Sequence, residues 1–160
     1  MNMTTHEVRI VSYDPKYKET FKALNEEWIK TFFTMEEGDY KLLDHPEEEI
    51  LAKGGYIVFA LLDNEPVGTC ALVKAEEPST YELSKMAVSP RAQGKKIGYL
   101  LGQALVEKAK EMKANKIFLE TNSILAPAIH LYEKLGFKHV SVEDSAYERC
   151  NTKMELIINE

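Results

Sequence analysis

The sequence holds only two cysteines, Cys70 and Cys150, with no Cys-x-x-Cys pair. A disulfide-stapled scaffold is therefore excluded, and both residues are read as reduced, mostly buried thiols. His6, His45, His130 and His139 are scattered without ligand spacing, so no metal is expected. No apolar run approaches the ~20 residues of a membrane-spanning helix. Positive charge is not in excess: 20 Lys and Arg face 26 Asp and Glu, a net charge of -6. That balance speaks against general affinity for nucleic acid. Met1 to Val8 carries Thr, His and Glu where a signal peptide would have its apolar core, so no signal peptide is expected there. A cytoplasmic location is the expectation that these absences leave.

What is present is an ordinary globular composition, with 44% hydrophobic and 29% charged residues among 160. A chain of this length buries roughly 70% of its unfolded surface, and one domain over residues 1–160 is expected. The most informative stretch runs from Ser84 to Leu101. An apolar strand ends at Val88, Pro90 marks the exit, and a loop with Gly94 and the cations Arg91, Lys95 and Lys96 leads into an amphipathic helix. Such a strand–loop–helix points unpaired backbone N–H groups and the positive end of the helix dipole at one place. That is the physical recipe for holding phosphate.

The periodicity of the remaining chain gives the frame. Glu7 to Ser12 alternates as a first strand. Asp14-Pro15 opens a helix with Tyr17, Phe21, Leu24, Trp28 and Phe32 as its apolar stripe, read mainly as core. An acidic segment, Glu36 to Glu49, is either a solvated face or a rim that attracts a cationic substrate, and Pro46 with three Glu starts a short helix. Tyr56 to Leu62 is a continuous β-prone run suited to an interior strand. Asp63 to Pro66 turns the chain into a partner strand, Val67 to Lys74, and Tyr81 to Val88 completes an antiparallel meander. A helix from about Lys95 to Lys113 precedes the strand Lys116 to Thr121, which must then run parallel to Tyr81–Val88 through a right-handed crossover. A helix over Pro127–Leu135 stops at Gly136, and short strands follow over Phe137–Val140 and Lys153–Ile157. The fold class is mixed α/β: a twisted, mostly antiparallel sheet of about seven strands with helices on both faces.

Two stretches, Gln93-Gly94-Lys95-Lys96-Ile97-Gly98 and Ala128 to Phe137 (AIHLYEKLGF), stand in the order and at the distance found in the GNAT superfamily of N-acetyltransferases, which this chain resembles from roughly Tyr81 to Val140. The sequence departs from the family pattern at Lys96, where a glycine is usual, and at Leu125, where an asparagine is frequent. The resemblance implies acetyl-CoA as donor and a small-molecule or peptide amine as acceptor. It implies that the pyrophosphate sits on the N–H groups of Gly94, Lys95, Lys96, Ile97 and Gly98, with extra positive charge from Arg91, Lys95 and Lys96, and that Gln93 and Tyr99 also bind the cofactor. It also implies that Met86, Ala87 and Val88 pair through their backbone with the pantetheine amides, with Asn122 and Ala128 beside them. Tyr132 matches the family's acid for the departing thiolate, and Glu82 the position of a glutamate base in some members, with a structural carboxylate as the alternative. Family members build acceptor sites from the first helical region, here around Trp28 to Asp44 with Trp28 and Phe32 as contacts, and from C-terminal strands, here the Tyr147 segment, with Glu82 also facing the acceptor. Three alternatives stand at this point: the N-acetyltransferase, a catalytically weak acyl-CoA sensor, and a transferase for another acyl-CoA. Family members also pair through exposed β edges, which leaves a homodimer open.

Overall fold

The computed structural model describes residues 7–143 and 145–158. His6 and most of the N-terminal stretch lie outside them. The sheet has seven strands in the order β1-β2-β3-β4-β5-β7-β6. They span Val8–Ser12, Tyr56–Leu62, Glu65–Lys74, Thr80–Val88, Lys116–Thr121, Lys138–Val140 and Thr152–Ile157 for β1 to β7. The helices are α1 (Lys18–Phe32), α2 (Glu37–Asp44), α3 (Ile97–Glu111) and α4 (Ala126–Lys134). Every strand pairing is antiparallel except β4 with β5, the pair joined through α3.

The continuous apolar run of β2 is explained by burial on both faces. Val58 and Ala60 face α3 together with Cys70, Leu72, Leu101 and Leu105. Ile57, Phe59 and Leu61 face the other way and pack with Phe21 of α1 and Leu43 of α2. Phe21 and Phe59 are fully buried, each contributing on the order of 1.5–3 kcal/mol of transfer free energy. The turn after β2 is tighter than the sequence predicts: Asp63 and Asn64 take positive φ angles of 51° and 69°, and Glu65-Pro66 already belong to β3. That two-residue geometry matches the twist of the hairpin.

The first helical region differs from its sequence reading. Asp14 caps a 3-10 turn over Pro15–Tyr17, accepting from the Lys16 N–H at 3.0 Å, and α1 proper starts at Lys18. Its buried positions are Phe21, Asn25 and Ile29. Trp28 is half-buried and Phe32 is 50% exposed. The lower end of α1 overhangs a cavity rather than the core, so the stripe's last two aromatics line open space. The segment after Pro46 forms a single π-helical turn, Glu47–Leu51, and α2 before it carries no apolar stripe long enough to announce itself.

Gly55 ends that turn under close constraint. A Cβ there would stand 2.4 Å from the Leu72 carbonyl oxygen and 2.8 Å from that of Ile50, both backbone atoms. Gly55→Ala is therefore expected to destabilise the fold by about 1–3 kcal/mol, as overpacking does. Urea denaturation of the two proteins checks this, and an unchanged midpoint would contradict the packing described.

Candidate active site

The predicted parallel pair is shorter than its strands. β4 and β5 are in register only over Thr80↔Lys116, Tyr81↔Ile117 and Glu82↔Phe118. Beyond Glu82 both strands run on, but apart. β4 also carries a bulge: Thr69↔Ala87 and Ala71↔Ser84 leave one extra residue on β4. Lys85 sits within it at a φ of 57°. Bulges of this kind bend a strand and re-aim side chains. Alternation along a regular strand would put Glu82, Ser84 and Met86 on one face. The extra residue ends that alternation, and Met86 packs toward α3, with its sulfur near Gly98. On the side away from β3, the backbone of residues 86–88 has no strand partner.

The loop after β4 sits where the strands part. The Ser89 N–H donates to the Val67 carbonyl at 2.7 Å, and the buried Ala92 anchors the turn Pro90–Ala92. Gly94 then takes a φ of 83° and Lys96 a φ of 59° before α3 begins. No described residue accepts a hydrogen bond from the N–H groups of Gly94 to Tyr99. Six consecutive unpaired donors at the N-terminus of a 15-residue helix form a cradle for an anion. The left-handed backbone at Lys96 explains why glycine suits that position, since an L-residue pays roughly 1–2 kcal/mol there.

A cleft of about 1260 Å³ runs from this cradle between α3 and α4, roomy enough for a long, extended ligand. Val88, Gln93, Gly94, Lys96, Ile97, Gly98, Tyr99 and Ala128 line it, with Trp28 and Phe32 near its mouth. Other expected contacts stand elsewhere. Arg91 is exposed and paired with Glu65 at 2.8 Å. Lys95 is exposed and Ala87 is buried, and neither lines the cleft. Asn122 lines the inner cavity, but its amide is committed: it donates to the Arg149 carbonyl at 2.7 Å and accepts from the Ile124 N–H at 2.9 Å. It holds two segments together.

The inner cavity opens at the parting of β4 and β5. It is about 80 Å³, and Glu82, Met86, Glu120, Tyr132, Tyr147 and Arg149 are among its walls. Burial, with the nearby Glu120 charge adding to it, raises the Glu82 carboxyl to about 7. The Glu82 carboxyl has no hydrogen bond to any described residue. Glu120 is held by the Ser145 hydroxyl, which donates to it. Burial drives the Tyr132 phenol well above its ordinary range, so it keeps its proton. Burial likewise raises the Cys150 thiol to about 11 and pushes Cys70 higher still, so neither is a thiolate at neutral pH.

A charged network, missed in the sequence, forms one wall. Asp39 on α2 is fully buried. It accepts from Lys85 Nζ at 2.6 Å and from Arg149 Nη1 and Nη2 at 2.7 and 2.6 Å. Burial opposes ionisation of Asp39, but the Arg149 bonds and the Lys85 charge outweigh it and hold the carboxyl at about 2. Burial also pulls the Lys85 ammonium down while Asp39 pulls it back up. We read the 2.6 Å contact as an ion pair. Lys85 also donates to Tyr147 Oη at 3.0 Å. The one sequence signal for this was a lone lysine within the strand Thr80–Val88.

Of the two readings of the acidic segment, this network speaks against the rim that attracts a cation. Glu36 and Asp39 are spent on Arg149, Asp44 pairs with Lys22 at 2.6 Å, Glu49 pairs with Lys53 at 2.8 Å, and Glu47 accepts from Tyr13 at 2.8 Å. A segment so neutralised offers little steering to a cation.

Asp39→Asn leaves two buried cations short of their counter-charge and is expected to cost about 3–5 kcal/mol. The folded value of about 2 lies below the 3.8 of an unperturbed Asp. The stability Asp39 adds is thus full above pH ~4 and lost as pH falls through that window. Denaturation midpoints of the two proteins at pH 7 and at pH 2–4 test this. A variant as stable as the parent at pH 7 would contradict it.

The comparisons agree with this geometry. The family model described as acetyltransferase (GNAT) family matches residues 19–137. The N-acetylaspartate synthetase of Mus musculus is 38% identical over 85 residues, 53% of this chain and 28% of that protein. The uncharacterized N-acetyltransferase YjgM of Escherichia coli (strain K12) is 38% identical over 73 residues, 46% of this chain and 44% of that one. The chain thus spans less than half the length of these curated relatives. A GNAT-family acetyltransferase from Staphylococcus aureus Mu50 superposes with a TM-score of 0.83 at 22% identity, over 93% of this chain and 98% of that one. The yncA protein of Salmonella typhimurium, solved with its cofactor acetyl-CoA, does so with a TM-score of 0.78 at 20% identity, over 96% and 95%. These structural likenesses show the fold, and the family match, covering well over half of the residues, shows the lineage: the chain belongs to the acetyltransferase (GNAT) family.

Proposed function

We propose that this chain, folded as one domain, transfers an acetyl group from acetyl-CoA to a primary amine by direct attack when both are bound. The observation that carries the reading is the meeting of two features at one gap in the sheet. The unpaired N–H groups of Gly94 to Tyr99 open onto the α3–α4 cleft, and Glu82 and Tyr132 line the cavity beside it. Acetyl-CoA supplies a thioester carbonyl and a thiolate leaving group. The pyrophosphate fits the cradle at the start of α3, and Lys96 and Gln93 line the same cleft. The free backbone edge of Met86, Ala87 and Val88 suits the amides of the pantetheine arm.

The chain's own groups then divide the proton work. An alkyl ammonium with pKa ~10.4 costs about 4–5 kcal/mol to deprotonate at pH 7. Glu82, raised to about 7, is poised to take that proton at neutral pH. Tyr132 keeps a proton at Oη for the departing sulfur. Neither thiol is needed, because the amine attacks directly. Both cysteines are free, which supports a reducing compartment, and we place the protein in the cytoplasm. No helix of the described residues is long and apolar enough to cross a membrane.

Glu82→Gln is expected to lower kcat by ~10²–10⁴ and to remove the rise of kcat/KM with pH near 7, because only the ionised carboxylate accepts a proton. Tyr132→Phe should lower kcat by a similar factor with CoA affinity kept. Acetyl-CoA turnover over a broad amine and peptide panel, read as thiol release, measures both. CoA binding without turnover across that panel would favour an acyl-CoA sensor instead.

A Cβ at Gly98 would approach Leu131 Cδ2 to 3.2 Å across the cleft. Gly98→Trp should accordingly abolish binding of desulfo-CoA. Affinity that survives the substitution would remove the cradle assignment.

A further inference from the structure

A guanidinium has five N–H donors, and those of Arg149 can be counted. Nη1 donates to Asp39 Oδ2 at 2.7 Å and to Glu36 Oε2 at 3.2 Å, and Nη2 donates to Asp39 Oδ1 at 2.6 Å. Asp39 therefore takes the end of the fork. The Nε–H and the outer Nη2 hydrogen have no partner among the described residues. These two lie parallel on one edge of the planar group, the arrangement that grips a carboxylate with two bonds.

Arg149 lines the inner cavity that Glu82 also lines. Its side chain is only 14% exposed, yet the unpaired Nε is not sealed from solvent, so a ligand in the cavity can reach the free edge. Lys85, 3% exposed at its side chain, stands on the same wall. Glu82 and Glu120, the second carboxylate, supply negative charge in the same cavity. One small cavity thus presents an unpaired carboxylate, suited to an amine, and an unpaired guanidinium edge, suited to an anion. A polyamine or a lysine side chain would leave that edge buried and unsatisfied, which is costly.

We infer that the acceptor is a free amino acid, its amine directed at Glu82 and its carboxylate gripped by the open edge of Arg149. This rests on the acetyl-transfer reading of the same cavity. It goes further by specifying a zwitterion where that reading requires only an amine.

The test pairs each of the common amino acids, together with β- and ω-amino acids, with its own carboxamide, alongside polyamines and lysyl peptides. Thiol release from acetyl-CoA by the full chain is the readout. At least one amino acid should be acetylated with a kcat/KM about 10–100-fold above that of its amide, the worth of hydrogen bonds to a charged group. Amides, polyamines or peptides acetylated as well as the best amino acid would overturn the inference and leave acetyl transfer standing. No turnover with any acceptor would remove both readings. Arg149→Lys keeps a charge for Asp39 but loses the fork. It should raise KM for the preferred amino acid by about 10–100-fold and remove most of that amino acid's lead in kcat/KM over its own amide. An unaltered amino-acid KM in a variant whose melting temperature is retained would contradict the assignment. The wild-type amino-acid and amide comparison stands even where the variant does not fold.

Discussion

The molecule depends on two strands that begin side by side and then part. β4 and β5 are held together only as far as Glu82 and Phe118. The rest of the sheet is continuous, so this parting is a gap beside the middle strand of seven rather than a frayed edge. It frees the backbone of residues 86–88 and gives the cavity its floor. It also lets the loop after Val88 swing over to start α3 with its donors unpaired. A sheet fully bonded at this point would have a better ladder and no site.

The bulge at Lys85 extends the same logic to the charges. A lysine in a regular β4 would have had to choose between the core and solvent. The extra residue and the positive φ turn its ammonium onto Asp39. Arg149, from the segment between β6 and β7, closes on the same carboxylate. Three segments distant in sequence are thus fixed around one cavity by a buried acid that cannot be removed cheaply. Such a network adds little net stability over an apolar core. Its contribution is geometric, since it holds Tyr147 and Arg149 in place beside Glu82.

The fold was largely legible because its signals are local. The run from Tyr56 to Leu62 is apolar on both faces because both faces are buried, and the strand–helix–strand from Thr80 to Thr121 dictates its own parallel pairing. The loop and the Tyr132 segment were legible for the same reason: glycine, cations and a helix start within a few residues. The charged wall of the cavity was not. Asp39 and Lys85 are 46 residues apart and Asp39 and Arg149 are 110 apart, and no periodicity reports such a pairing. The pairing of the acidic segment was hidden for the same reason, since its partners Lys22, Lys53 and Arg149 lie outside it. Alternation failed at Met86 because a bulge adds one residue without any mark in composition. Lys96 departs from the family pattern, and its left-handed backbone gives that departure a physical meaning.

The central claim is that the donor lies along the parted strands with its phosphates on the start of α3. Amide chemical shifts of the full chain during titration with CoA test it most directly. The account predicts that the six N–H signals from Gly94 to Tyr99 move most, with those of Met86 to Val88 next, while β1 and β6 at the sheet edges stay fixed. Saturating CoA that leaves the Gly94–Tyr99 signals in place, or moves signals clustered on another face, would contradict it.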